Sequence, residues 1–277
     1  MSALRSHHSN ITWIDNGSEQ SVSHVLLHGI GSNAQSWSEV LKLSPAQHRW
    51  LAWNAPGYDS SQALTMSKPK ALDYAQALWS WLDDLKVTAP ITLAGHSLGA
   101  LMAASAARLQ PSRVCRVILL SPALGYGYSS LEAQAQRAEQ RLKLLLEAGP
   151  KAMAKARASA MLSEYANEEK RQQVENIMAQ VDVHGYTQAV HMLMSGTLRE
   201  DVLYLRRLQI PITIGCGHSD MVTPFEQSRD LANESHSTLV DLGPVGHACA
   251  IEAANQVLQC LLGREPGEPG SDQDMPL

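Results

Sequence analysis

The feature that most constrains this chain is a series of short apolar runs, each closed by turn residues. Val25-Leu26-Leu27 stops at His28-Gly29, and Trp50-Leu51-Ala52-Trp53 stops at Asn54-Ala55-Pro56-Gly57. Ile91-Thr92-Leu93-Ala94 stops at Gly95, and the largely apolar stretch from Val114 to Leu120 stops at Ser121-Pro122. Runs of this length without apolar/polar alternation suit strands buried on both faces. Helix-like segments, Ala71 to Leu85 and Leu98 to Leu109, separate them. That order predicts an α/β chain with a mostly parallel, doubly wound sheet. Ser9 to Asn16 is expected to add an antiparallel edge strand.

The rhythm breaks after Pro122. From Ser129 to about Arg207 no strand signal stands out, and Ala, Leu, Glu, Gln, Lys, Arg and Met, all good helix formers, dominate. Gly149-Pro150, Asn167 and His184-Gly185 divide this stretch into roughly four helices. Strands return at Ile210 to Ile214 and Thr238 to Leu242, with helices expected at Pro224 to Ser235 and His247 to Leu262. The expected organisation is a core of residues 1–122 and 206–263, an all-helical cap of 123–205, and a disordered tail of 264–277 rich in Gly, Pro and Asp.

Composition narrows the function. With 44% hydrophobic and 18% charged residues among 277, the chain can bury a sizeable core. The net charge of −5 leaves no basic excess for a phosphate backbone, so no nucleic-acid partner is expected. No apolar run approaches the roughly 18 residues needed to cross a bilayer, and no secretory leader is evident, so no membrane partner and a cytoplasmic location are expected. Cys115, Cys216, Cys249 and Cys260 match no zinc or redox spacing and read as small, buried, free thiols. No metal and no cofactor are expected, and the chain is expected as a monomer or homodimer.

Gly95-His96-Ser97-Leu98-Gly99 carries the chemistry. A β-like run precedes it and the small-residue helix Ala100, Ala103, Ala104, Ala106, Ala107 follows. A sharp strand–turn–helix elbow would expose the Ser97 hydroxyl, with glycines where side chains would collide. The Leu98 N–H, at the start of the helix, would face the same space. A serine needs a base, and a histidine needs an orienting carboxylate. His247, in Gly243-Pro244-Val245-Gly246-His247, and Asp220, in Cys216-Gly217-His218-Ser219-Asp220, follow later strands. Asp241, on the last strand, is the rival orienter; loop placement and the order Ser, Asp, His favour Asp220. His28 and His96 are read as structural.

Together these features resemble the α/β-hydrolase family: the His28-Gly29 turn, Ala55-Pro56-Gly57-Tyr58, the Gly95–Gly99 elbow, Asp220 before Val222-Thr223-Pro224, and Gly246-His247. The resemblance spans residues 25 to about 262 and implies that Ile30 supplies a second oxyanion N–H beside that of Leu98. Asp59 departs from it, because many relatives carry glycine there.

The resemblance implies acyl transfer by a capped serine hydrolase of the esterase, enol-lactonase or C–C hydrolase kind. A small, largely apolar carboxylic ester or lactone is the expected substrate, with Trp37, Tyr126, Met161 and Met192 expected to contact it. Cleavage of a carbon–carbon bond in an aromatic meta-cleavage-type product is the alternative, and it would need a cation such as Arg157 or Arg199 for the substrate's carboxylate. A non-catalytic ligand-binding member of the fold is the third reading. Ser97 argues against relatives that place aspartate at that position.

Overall fold

The computed structural model describes residues 4–8 and 10–264. Of the expected tail, everything beyond Arg264 lies outside the described residues.

Among the described residues eight strands form one sheet: β1 Leu4–His8, β2 Ile11–Asp15, β3 Val22–Leu27, β4 Arg49–Trp53, β5 Ile91–His96, β6 Val114–Leu120, β7 Ile212–Cys216 and β8 Thr238–Asp241, in the order β1-β2-β4-β3-β5-β6-β7-β8. β3 to β8 pair in parallel, whereas β1 pairs with β2 and β2 with β4 antiparallel. The antiparallel strand expected before β3 is therefore β2. It does not sit at the edge, because β1 pairs with its outer side.

The apolar runs are continuous because both faces of the sheet are covered. Val25, Leu27, Leu51, Trp53, Leu93, Val117 and Leu119 belong to the core on one face, and Leu26, Trp50, Ala52, Ala94, Ile118 and Leu120 to the core on the other. This alternation follows the two-residue period of a strand. The helices α1 (Ser38–Leu43), α2 (Ala71–Asp84) and α3 (Leu98–Leu109) accompany the first half of the sheet, with α2 packed on α3.

Four helical stretches lie between β6 and β7: α4 (Leu131–Arg157), α5 (Glu168–Met178), α6 (Val183–Ser195) and α7 (Leu198–Arg207). Gly149, at φ 83° and ψ 175°, breaks α4 where Gly149-Pro150 predicted a division. His184-Gly185 does not divide the chain; both lie in the first turn of α6, whose start is set by Asp182, its side chain accepting the Gly185 N–H at 3.0 Å. α7 packs along α3, tied by an Arg108–Asp201 ion pair, so the boundary expected at 205 falls inside a helix of the core layer. α8 (Phe225–Ser235) follows β7, and α9 (Cys249–Glu252) and α10 (Ala254–Leu262) follow β8, with α1 packed on α10. The last helix expected from the sequence is thus two, broken at Ala253 (φ −138°, ψ 55°). Cys216, Cys249 and Cys260 are buried, whereas Cys115 is exposed, because it faces outward near the start of β6.

Candidate active site

Loops at the carboxyl ends of parallel strands bring the sequence candidates together, the usual location of a site in an open α/β sheet. Ser97 lies between β5 and α3 at φ 53° and ψ −114°, a backbone that L-residues rarely adopt. Two glycines make that turn possible. A Cβ on Gly95 would sit 2.2 Å from the Gly99 carbonyl oxygen, and one on Gly99 would sit 2.3 Å from that of Leu27. The Ser97 N–H donates to Leu120 O at 2.9 Å, and its carbonyl accepts from Ala123 N at 3.1 Å, so neighbouring chain holds the elbow on both sides.

Ser97 Oγ is 3.0 Å from His247 Nε2, and His247 Nδ1 is 2.9 Å from Asp220 Oδ2. All three residues are at most 5% exposed. Asp220 sits in a turn of its own making, with Oδ1 accepting the N–H groups of Val222 and Thr223, each at 2.9 Å. The Thr223 hydroxyl lies 2.9 Å from Asp220 Oδ2 and 3.2 Å from His247 Nδ1. Burial alone would raise the Asp220 carboxyl pKa. The hydrogen bond and charge of His247, with the Thr223 N–H, outweigh burial and hold it down at about 2. The rival Asp241 faces solvent, where it accepts from Gly243 N at 2.8 Å and His218 Nε2 at 2.7 Å.

Two buried histidines brace the site. His96 Nε2 donates to the His247 carbonyl at 2.7 Å, and burial holds its pKa down at about 3, so the ring stays neutral. His28 Nδ1 donates to Gly29 O at 2.9 Å, and Nε2 accepts the Ala55 N–H at 3.0 Å. Burial lowers the His28 pKa to about 4, which keeps that donor–acceptor arrangement. His28 thereby ties the loop carrying Ile30 to the loop after β4. The Leu98 N–H is in the first turn of α3, where amides have no intrahelical acceptor. Among the described residues the Ile30 N–H has no hydrogen-bond acceptor either.

A cavity of about 40 Å³ adjoins His96 and His247, walled by Ile30, Met161, Val174, Ile177, Met178 and Ile251 among others. Of the four expected contacts, Met161 lines this cavity. The other three expected contacts are elsewhere. Trp37 is wholly buried in the core on the α1/α10 face, because the turn before α1 points its indole inward. Met192 is wholly buried on the face of α6 that packs into the main core. Tyr126 is at the surface, with the Arg137 guanidinium 4.8 Å above its ring. The walls contributed by Val174, Ile177 and Met178 of α5 gave no signal of their own in the sequence, since apolar positions of an amphipathic helix look alike whether they face a core or a cavity. Among the described residues no group of three or more His, Cys, Asp or Glu side chains is placed to hold a metal ion. No described helix is long and apolar enough to cross a membrane.

Residues 19–244 match the family model described as "Serine aminopeptidase, S33". The chain belongs to this α/β-hydrolase family. Its relatives include an (E)-2-((N-methylformamido)methylene)succinate hydrolase of Acinetobacter baylyi, 24% identical over 87% of this chain and 90% of that one. A putative carbamate hydrolase RutD of Pseudomonas syringae is 29% identical over 87% of this chain and 94% of its own. Among solved structures, the enol-lactonase of Burkholderia xenovorans LB400 superposes with a TM-score of 0.80 at 19% identity, covering 94% of this chain and 98% of that one. A thermophilic esterase of Thermogutta terrifontis gives 0.80 at 19%, covering 91% and 92%. As a member of this α/β-hydrolase family the chain is a hydrolase.

Proposed function

We propose that this α/β-hydrolase cleaves a small, largely apolar carboxylic ester or lactone through an acyl-enzyme on Ser97. The observation that carries the reading is the buried chain Ser97 Oγ–His247–Asp220, with separations of 3.0 and 2.9 Å. His247 Nε2 takes the Ser97 proton as Oγ attacks the substrate carbonyl. The N–H groups of Leu98 and Ile30 stabilise the oxyanion, each worth about 3–4 kcal/mol in comparable sites. His247 then protonates the leaving alcohol, and water, deprotonated by His247, releases the acid. Asp220, held ionised by the cluster around it, fixes Nδ1 as the protonated nitrogen and offsets the imidazolium charge.

The apolar cavity wall favours an acyl group without charge. Carbon–carbon cleavage of an acidic dienone is less well supported. Neither Arg157, which donates to Tyr186 Oη and Arg141 O, nor Arg199, paired with Glu234 at the surface, reaches the cavity. A fluorophosphonate probe should label the wild-type chain, and Ser97→Ala should abolish both labelling and turnover while leaving the circular-dichroism spectrum intact. Persistent labelling or hydrolysis in Ser97→Ala would move the nucleophile elsewhere. A panel of p-nitrophenyl esters, lactones and a dienone acid then orders the substrate classes.

A further inference from the structure

The loop that carries His247 is fastened on both sides of the imidazole, before it to Glu252 of α9 and after it to the inserted segment. Before it, the Gly246 N–H donates to Glu252 Oε2 at 3.0 Å. After it, the Ala248 N–H donates to Met161 O at 2.7 Å. The same Glu252 Oε2 accepts the Ser163 N–H at 3.0 Å, and Glu252 Oε1 accepts the Ser163 hydroxyl. Lys170, on α5, donates to the Glu252 carbonyl. The chains also touch directly: a Cβ on Gly246 would lie 2.4 Å from Ser163 N. One carboxylate thus satisfies amides on both the His247 loop and the segment that includes the cavity wall Met161.

The cavity gives this arrangement a consequence. Its roughly 40 Å³ holds a few water molecules, far below the several hundred Å³ that ligand pockets usually need. A substrate larger than a few waters would have to move the walls of this cavity, which include Met161 and Val174, Ile177 and Met178 of α5. Because Glu252 bridges the Met161–Ser163 segment and Gly246, displacement strains or breaks the support of the His247 loop. We propose that Glu252 is a positioning residue, a latch that aligns His247 with Ser97 only while the inserted helices are seated over the cavity. The proposal rests on the serine-hydrolase reading for its kinetic consequence, although the latch itself does not. Closure would then activate the base at the moment water is excluded. The geometry tolerates an amide, since a glutamine could present its oxygen to both N–H groups and its NH2 to Ser163 Oγ.

The full-length chain tests this with Glu252→Ala, Glu252→Gln, Ser163→Ala and the double variant Ser163→Ala/Glu252→Ala. The readouts are the rate of Ser97 modification by a fluorophosphonate, the low-field proton resonance of His247 Nδ1–H, and proteolytic cleavage within residues 155–171. Glu252→Ala should slow modification by about ten- to a hundredfold, the range expected for losing a hydrogen bond to a charged acceptor. It should also broaden the resonance and speed cleavage. Glu252→Gln should recover the rate to within a few-fold, and the double variant should be no slower than Glu252→Ala, because both remove one contact. A Glu252→Ala chain that reacts at the wild-type rate with its resonance intact overturns the latch, whatever its melting temperature. If Glu252→Ala does not fold, Ser163→Ala decides, with a smaller slowing expected and an unchanged rate and resonance counting against the latch. If the wild type itself fails to react, the serine-hydrolase reading falls, and the resonance and the cleavage rate still judge the latch.

Discussion

Ser97 sits in a backbone conformation that costs on the order of 1–3 kcal/mol and persists only because the surroundings over-determine it. The context made this legible: glycines at 95 and 99 around a serine, set between a β-like run and a small-residue helix, fit a strained elbow. Asp59 shows the opposite case. It departs from the family pattern, yet it holds φ 51° and its carboxylate accepts from Asn54 Nδ2 at 3.0 Å. A short acidic side chain therefore adopts the left-handed turn that glycine would otherwise supply. The division of labour between acids also belongs to this scale. Asp220→Asn should lower kcat by orders of magnitude, about 10⁴-fold in the best-studied triad, by presenting an amide to His247 Nδ1. Asp241→Asn, at a solvent-facing position, should leave steady-state kinetics within a few-fold. The reverse ranking would reassign the orienting acid.

At the scale of elements, the first turn of α6 meets the loop after β4 backbone to backbone. A Cβ on Gly185 would lie 1.8 Å from the Gly57 carbonyl oxygen, and one on Gly57 would lie 2.6 Å from the Gly185 Cα. Gly185 reads locally as a helix breaker, but Asp182 caps a helix that runs through it; what the glycine provides is close approach. Gly185→Ala should push α6 off that loop and destabilise the chain by about 1–3 kcal/mol or more, measured as a lowered midpoint in urea. A midpoint at or above the wild-type value would mean that the two segments separate without cost. The contact escaped the sequence because it joins glycines 128 positions apart, and a propensity scale reads only neighbours along the chain.

At the scale of the whole molecule, burial holds three histidines neutral among the described residues. Burial lowers His24 to about 3, His28 to about 4 and His96 to about 3, from an ordinary 6.5. Between those values and 6.5 the unfolded chain binds protons that the native one does not. Stability is therefore complete above about pH 6.5 and drains away on acidification, by about 1.4 kcal/mol per pH unit for each such proton. Asp220 adds in the same direction lower down: its folded pKa of about 2 lies below the ordinary 3.8, so its contribution is present above 3.8 and lost as pH falls toward 2. Urea unfolding between pH 7 and 4.5 should show the decline. His24→Gln, remote from Ser97 and stacked on Trp50 at 4.0 Å, should flatten the slope by up to one proton. An unchanged slope would show that His24 is already protonated in the native state.

The sequence by itself determined the alternation of β4, β5 and β6 with α2 and α3, the two-sided burial of the parallel strands, the elbow at Ser97 and the chain order of Ser97, Asp220 and His247. Each of these is written in short-range periodicity, turn chemistry or a local motif. Only the tertiary structure decided that α7 joins the core layer, that Trp37 and Met192 pack inward while Ile177 and Met178 wall the cavity, and that Glu252 bridges Ser163 to the His247 loop. The physical reason is side-chain direction. An apolar or acidic residue carries the same local signature whichever neighbour it faces, and that neighbour is chosen by the packing of segments distant in the chain.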